Sequence, residues 1–356
     1  MFVAWRDIRF ATGRFVLIGS VVTLITILVG FLSGLTAGLA NQNISAITGL
    51  DADRIVFSQP ADSSADPSFA DSSVTAAQAE DWARAEGISR VEPLGIVQSR
   101  LTAGARVSGV SLFGVQPSFG ELAPAAGSVT LGESIARDLA VEPGDAVALS
   151  GHDLTVSAVV PDQWFSHTSV AWLNIEDWRS AMARGGEAPF ASVLAVSASG
   201  SPDWTALDSA TDTVSADVLG SLLNIGSFRS EIGSLLLMVG MLFGISALVI
   251  GAFFTVWTIQ RSGDIAVLKA LGAGTGRLVR DALGQALVVL LAGVGLGMLV
   301  TVGLGLLAGS VLPFVLSPLT TLLPALAMIL LGLAGAGFAL RSVLSTDPLT
   351  ALGGTR

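Results

Sequence analysis

The chain contains no cysteine and no tyrosine, and it has only two histidines, His152 and His167. Without cysteine it forms no disulfide, no thiolate zinc site and no cysteine nucleophile. Any domain exposed to an oxidising environment therefore has to be held together by its hydrophobic core alone.

Charged residues are also scarce. They make up 13% of the chain, against about 25% in ordinary soluble proteins. Three long stretches lack Asp, Glu, Lys and Arg altogether, and each exceeds the roughly 20 residues that a membrane-spanning helix needs. The last of them is long enough for two helices, with a turn at Pro313–Pro318. The sequence therefore predicts four transmembrane helices, at residues 15–40, 232–260, 278–310 and 319–340.

Basic residues set the expected orientation, because they concentrate in cytoplasmic loops. They precede helix one, flank the short segment between helices two and three, and follow helix four. Both termini are therefore expected in the cytoplasm and residues 41–231 outside. That segment carries 24 acidic residues and 9 arginines, a net charge of −15, whereas the rest of the chain carries +5. An acidic exterior argues against nucleic acid as a partner.

The outer segment shows mixed patterns typical of an α+β domain. Short helices are expected at 75–86, 132–139 and 177–183, a hairpin at 146–160, and a helix over 205–223 that leads into helix two. The polar stretch 61–73 is expected to be a mobile loop. The fold class is thus a membrane protein of four helices, arranged 1+3, with a large α+β extracytoplasmic domain inserted between helices 1 and 2.

The cytoplasmic segments are short. Residues 1–14 have amphipathic spacing, which is typical of a helix on the inner membrane surface, and residues 341–356 form a tail. In segment 261–277, Ile265, Leu268 and Leu271 share one face of a helix, with Asp264 and Lys269 elsewhere on it. Such a helix between two spans indicates docking to a soluble partner.

Catalytic motifs are absent from the sequence. It has no GxxxxGK[ST] phosphate loop, no GxSxG and no HExxH. The chain is therefore not expected to be an enzyme or to hydrolyse ATP by itself. His152 and His167 fit structural or surface roles as well as ligand roles. Glu231 at the start of helix two suits a helix N-terminus, and it equally suits a ligand at the membrane edge, where ionisable groups are often functional.

Several segments resemble the MacB/FtsX-like ABC transporter permeases. RSGDIAVLKALGAG at Arg261–Gly274 is similar to the coupling helix of that family, Gly132–Asp162 to its external core, and DPLTAL at Asp347–Leu352 to its tail. The resemblance implies a permease homodimer bound to two copies of an ABC ATPase subunit, which binds the ATP, and transport by mechanotransmission. The residues implied in ATPase coupling are Asp264, Ile265, Leu268, Lys269 and Leu271.

FSHTSVAWLNIEDW at Phe165–Trp178 resembles the HrtB-type haem exporters of this family. That branch implies haem as transported substrate, with no cofactor of the permease's own, taken laterally from the outer leaflet between helices 1 and 2 of two protomers. Without Cys and Tyr, the iron ligands left are His, Met or a carboxylate, and Glu231 is the expected iron ligand. The substrate-binding residues expected on this basis are Glu231, Asn41, Phe31, Leu35, Phe228, Leu235 and Met238.

Two alternatives remain open at the level of the sequence. One is a MacB-like exporter of a lipid or a peptide antibiotic. The other is an FtsX-like transmembrane signalling protein that moves external partners and transports nothing. Both share the predicted architecture and membrane location. Haem-stimulated ATP hydrolysis would distinguish a haem exporter from the first, and a deletion strain with normal haem tolerance but defective cell separation would favour the second.

Overall fold

The computed structural model describes residues 12–62, 65–183, 188–260, 263, 267, 274–309 and 311–344. The chain divides into two compact units. The membrane unit comprises Met1–Gly38 and Ser234–Arg356, and the inserted domain comprises Leu39–Gly233. The expected amphipathic helix at 1–14 lies almost entirely outside the described residues. So do most of segment 261–277 and of the tail.

Four of the helices in the described part of the chain are long and apolar enough to cross a membrane, which confirms the predicted 1+3 arrangement. The helices are α1 Thr12–Thr48, α2 Ala76–Arg84, α3 Glu133–Leu139, α4 Ile175–Met182, α5 Trp204–Thr211, α6 Val218–Ser221, α7 Gly226–Gln260, α8 Thr275–Ala308 and α9 Pro318–Leu344. The spanning ones are α1, α7, α8 and α9.

The spanning helices α1 and α7 are longer than the sequence predicts. The structure continues α1 to Thr48, eight residues beyond the expected end at Ala40, and begins α7 at Gly226, six residues before Ile232. Polar residues near both ends suggested that the helices stop there. The helices continue instead because their outer turns are anchored by packing. Ala46 and Ile47 are fully buried in the core of the inserted domain.

Within the membrane unit, α1 and α8 approach closely along a line of small residues. A Cβ atom at Gly293 would lie 2.8 Å from Val22 Cγ1, and one at Gly297 would lie 2.6 Å from Thr26 Cβ. These glycines are four residues apart and therefore share a helix face. Membrane helices lack a strong hydrophobic force between them, so such close backbone contact contributes much of their packing.

Gly297→Leu is expected to destabilise the membrane unit by about 1–3 kcal/mol, the usual cost of overpacking a filled contact. The measurement is the thermal unfolding midpoint of the purified protein in detergent. Gly295→Leu is the matched control, since a Cβ at that position meets no atom within 4 Å. Equal unfolding midpoints for the two variants would contradict the packing described for α1 and α8.

Ten strands make up the sheet of the inserted domain, as far as the structure describes it. They are β1 Arg54–Ser58, β2 Ile88–Ala103, β3 Arg106–Val115, β4 Ser128–Gly132, β5 Ala146–Leu149, β6 His152–Val160, β7 Trp164–Phe165, β8 Thr168–Asn174, β9 Val193–Ala198 and β10 Thr213–Asp217. Their order is β10-β1-β9-β2-β3-β8-β4-β6-β5, with β7 paired to β8. The pairs β3–β8 and β4–β6 are parallel, and the others are antiparallel.

Strand β2 belongs to two parts of this sheet because it is long enough to pair twice. Its first half pairs with β9, and its second half pairs with β3. Leu101 and Thr102 also pair with β5, so the path β2-β3-β8-β4-β6-β5 closes on itself. Helix α4 covers the junction, where Trp178 packs onto Gly95 and Gly114.

Most short elements of the inserted domain were predictable. Thr75 caps α2 in a capping box with Gln78, as the sequence pattern indicates. The hairpin expected at 146–160 is present as β5 and β6. The prediction of one helix over 205–223 is wrong. Helix α5 ends at Thr211, and the next residue, Asp212, has the left-handed conformation. Strand β10 follows and pairs along its whole length with β1.

Candidate functional site

Five polar side chains from three elements converge inside the inserted domain. Asn43 comes from the end of α1, Ser166 and His167 from the turn between β7 and β8, and Ser227 and Glu231 from the start of α7. These residues are called the polar cluster below. They lie far apart in the sequence, and the fold brings them together.

His167 and Glu231 form the centre of the polar cluster. The Nε2 atom of His167 lies 3.0 Å from both carboxylate oxygens of Glu231. The amide nitrogen of Asn43 lies 3.1 Å from Glu231 Oε2 and 2.9 Å from His167 Nε2. When Nε2 carries a proton it donates to Glu231, and when it carries a lone pair it accepts from Asn43. The arrangement therefore accommodates either form of the imidazole.

Two serines fix the amide of Asn43. Ser227 Oγ donates to Asn43 Oδ1 at 2.6 Å, and Ser166 Oγ lies 2.8 Å from Ser227 Oγ. With Oδ1 held as the acceptor, the amide nitrogen must face His167 and Glu231 as a donor. Asn43 is fully buried, whereas the side chains of His167 and Glu231 are 34% and 40% exposed. The polar cluster thus has a buried inner residue, Asn43, and a solvent-accessible ionisable pair, His167 and Glu231.

The turn that carries His167 has unusual backbone geometry. Ser166 and His167 have φ angles of 51° and 65°, values that favour glycine or asparagine. Their backbone N–H groups donate to the carbonyl oxygens of Asn43 and Gln42 on α1, at 3.0 and 2.9 Å. These bonds offset the strain of the turn and direct the imidazole toward Glu231. Such strained residues often occur at functional sites.

The ligand set of the polar cluster is small. A protein-held metal ion such as zinc usually takes three or four side-chain ligands. Across the described ranges no group of three or more His, Cys, Asp and Glu residues is arranged so that it could hold a metal ion. One imidazole and one carboxylate suit a metal complex that brings most of its own ligands and needs only an axial one.

The structure places the expected substrate-binding residues in different surroundings. Glu231 lies in the polar cluster. Asn41 is exposed, and Phe228 is 8% exposed and packs into the core of the inserted domain. In the membrane unit Phe31 contacts Phe314, with ring centroids 5.1 Å apart, and Met238 is 49% exposed. Leu35 and Leu235, also in the membrane unit, are partly exposed. The coupling residues Asp264, Ile265, Leu268, Lys269 and Leu271 lie outside the described residues.

Sequence reasoning named Asn41 and missed Asn43, which the structure places in the polar cluster. The position of Asn43 in the helical repeat was a signal that could have identified it. Asn43 precedes Ala46 and Ile47 by three and four residues, so it shares their apolar, buried face. A polar residue on a buried face requires a hydrogen-bond partner, and that partner was not identifiable from the sequence.

Asn43→Ala is expected to lower the stability of the protein by about 1–3 kcal/mol, since it leaves Ser227 and Glu231 without their buried partner. The measurement is the thermal unfolding midpoint of the full chain in detergent. Asn41→Ala serves as the control, because its side chain is exposed two residues earlier on the same helix. A larger effect at Asn41 would contradict the role assigned to Asn43.

Two family models match the chain. Residues 16–214 match the MacB-like periplasmic core domain, and residues 220–348 match the FtsX-like permease C-terminal model. Together these matches cover the inserted domain except for residues 215–219, and most of the membrane unit.

The chain has full-length relatives among bacterial permeases. The chain is 27% identical over 363 residues to a Staphylococcus haemolyticus protein named as a hemin transport system permease, HrtB, and 24% identical over 365 residues to a protein of the same name from Staphylococcus epidermidis. It is 24% identical over 371 residues to an uncharacterized ABC transporter permease of Mycobacterium bovis. Each alignment covers 99% of both chains.

Solved structures of isolated external domains are also similar to this chain. The periplasmic region of MacB from Actinobacillus actinomycetemcomitans aligns with a TM-score of 0.36 and 14% identity, covering 48% of this chain and 92% of that one. The extracellular domain of YknZ, an ABC-type transporter from Gram-positive bacteria, aligns with a TM-score of 0.35 and 13% identity, covering 47% and 99%.

Proposed function

Since this chain belongs to the family of ABC transporter permeases with a MacB-like periplasmic core domain and an FtsX-like C-terminal part, we propose that it is the membrane subunit of a haem exporter. The relatives named for hemin transport align over their full length. The observation that carries the proposal is the accessible His167–Glu231 pair of the polar cluster, in a chain that lacks both Cys and Tyr.

Haem is a flat, mostly apolar molecule with an iron atom and two carboxylates. Its porphyrin ring fills most of the iron's coordination positions, so the protein needs to supply only one or two axial ligands. In the proposal Glu231 is the ligand, and a homodimer presents one Glu231 from each protomer. His167 and Asn43 orient the carboxylate, as outer hydrogen-bond partners do at metal sites. A carboxylate binds iron weakly enough to release a cargo.

Energy for transport comes, in this proposal, from a separate ABC ATPase present in two copies. The permease itself has no phosphate loop. Segment 261–277, with Asp264, Leu268 and Lys269, is the surface proposed to dock it. The basic residues around that segment support a cytoplasmic location for it and for both termini. Haem enters sideways from the outer leaflet, and ATP-driven movement of the helices expels it outward by mechanotransmission.

The test is ATP hydrolysis by the permease, reconstituted in lipid vesicles with the ATPase that copurifies with it. Haem is expected to stimulate hydrolysis, and iron-free protoporphyrin is expected to have a much smaller effect because it offers no metal to Glu231. Stimulation by a lipid or a peptide antibiotic, with none by haem, would favour another exporter of the family. A deletion strain with normal haem tolerance and defective cell separation would favour a signalling role.

A further inference from the structure

The turn between β7 and β8, which carries His167, lies over one face of the β2–β3 pair. Gln98 Nε2 donates to the carbonyl oxygen of Ser166 at 3.4 Å, and Ser111 Oγ donates to that of Phe165 at 3.0 Å. Gln98 and Ser111 are register partners in the two strands, so their side chains lie on the same face of the sheet. This face therefore adjoins the polar cluster.

Arg100 and Gly109 form the next pair of residues on that face. They are register partners, and they lie two residues beyond Gln98 and Ser111, a step of about 7 Å along the strands. Leu101, the neighbour of Arg100 in the chain, is fully buried on the opposite face, so the arginine lies on the solvent side of the sheet, where it is exposed. A Cβ atom added at Gly109 would meet no atom within 4 Å, so the space beside Arg100 is open.

Arg100 has no partner in the part of the chain that the structure describes. Its guanidinium makes no side-chain hydrogen bond or ion pair there, and its neighbours on the same face of β3, Val107, Gly109 and Ser111, are uncharged. Other arginines of the inserted domain pair with carboxylates, namely Arg84, Arg90, Arg179 and Arg229. Arg100 is therefore an exposed positive charge that is available to an anionic ligand.

We propose that Arg100 binds a carboxylate of the transported porphyrin and favours substrates whose carboxylates are free. The inference rests on the proposed function, in which Glu231 binds the iron. Haem carries its two carboxylates on flexible chains at the rim of the ring, away from the iron, so the iron and the carboxylates contact different parts of a site. The planar guanidinium of arginine matches a carboxylate with two parallel hydrogen bonds.

The charges of the two residues suit the two ends of haem. Glu231 is negative and binds the iron in the proposed function. The haem carboxylates are themselves negative, and most of the inserted domain repels them, because its segment has a net charge of −15. Arg100 offsets that repulsion on the face that adjoins the polar cluster, so it is a specificity-determining residue of the substrate site.

The test is a titration of the purified full-length permease in detergent, followed by absorption, with haem and with haem dimethyl ester. The ester keeps the ring and the iron, but both of its carboxylates are neutral. Arg100→Gln is expected to weaken haem binding roughly twofold to fivefold, the range of an exposed ion pair. It is expected to leave the affinity for the ester unchanged, together with the Soret band of the saturated complex, because the iron ligand is the same.

Arg137→Gln is the matched control. Arg137 is exposed and unpaired among the described residues, but it lies on α3, whose buried residues share a core with Val110 on the other face of the sheet. This variant should keep both affinities, and Arg100→Lys, which retains the charge, should restore part of the haem affinity. Full haem affinity in Arg100→Gln, or an equal loss for haem and ester, would overturn the role of Arg100 without affecting haem binding at Glu231.

A salt series on the unaltered protein keeps the test independent of how the variants fold. Salt screens an exposed ion pair, so haem affinity is expected to fall more steeply than ester affinity as the salt concentration rises. Equal salt dependence for the two ligands would contradict the proposal. The absence of a saturable Soret shift with either ligand would contradict the proposed function itself, and this inference with it.

Discussion

Under the proposed function, Glu231→Gln is expected to abolish the protection against haem that the permease would give to cells. Glutamine keeps the shape of the side chain and can still hydrogen bond to His167, but it loses the negative charge of the proposed iron ligand. Loss of an outer hydrogen-bond partner typically costs 10–100-fold in metal affinity, and loss of the ligand itself should cost more. The measurement is growth at rising haem concentration, in a strain that lacks other haem exporters and produces this permease together with the ATPase that copurifies with it.

Two controls make the Glu231 result specific. Glu231→Asp retains the charge on a shorter side chain and is expected to restore part of the tolerance. Glu142→Gln, at an exposed position of the same domain, is expected to behave like the unaltered protein. Full haem tolerance in Glu231→Gln, with normal amounts of protein in the membrane, would exclude Glu231 as the iron ligand.

His167→Ala is expected to weaken haem binding roughly 10–100-fold, as loss of an outer partner of a metal ligand does. The Nε2 atom of His167 lies 3.0 Å from both oxygens of Glu231 and sets the direction of that carboxylate. The measurement is the haem affinity of the purified permease, titrated by absorption.

The other histidine of the chain provides the matched control. His152 is exposed at the start of β6, in the hairpin with β5, and its pairing there is through the backbone. His152→Ala should therefore leave haem affinity unchanged. Similar losses of haem affinity in both variants would show that the effect is not specific to His167. Unchanged haem affinity in His167→Ala would show that His167 does not contribute to the haem site.

The membrane architecture was predictable because its signals are local. Charge-free stretches determine the helices at 15–40 and 278–310 without any knowledge of their partners. The cap at Thr75 is equally local, since its partner Gln78 lies three residues away. Helix ends were harder to predict. The outer turns of α1 and α7 are stabilised by burial of Ala46, Ile47 and Phe228 in the inserted domain.

The candidate site was only partly predictable, because it depends on long-range contacts. Glu231 was identifiable as an ionisable residue at the edge of a span. Its contact with His167 joins residues 64 positions apart, and its contact with Asn43 joins residues 188 apart. Likewise, the segment that forms β10 was predicted to be part of a helix, because its pairing with β1 could not be derived from the sequence. Composition and periodicity contain no information on such pairings.

The visible absorption spectrum of the purified permease after haem addition tests the central claim most directly. In the unaltered protein the Soret band of added haem is expected to shift and then saturate as the site fills, reporting an axial ligand on the iron. In Glu231→Gln the shift is expected to be lost. A shift of the same size and saturation in both proteins, or none in the unaltered protein, would contradict haem binding at Glu231.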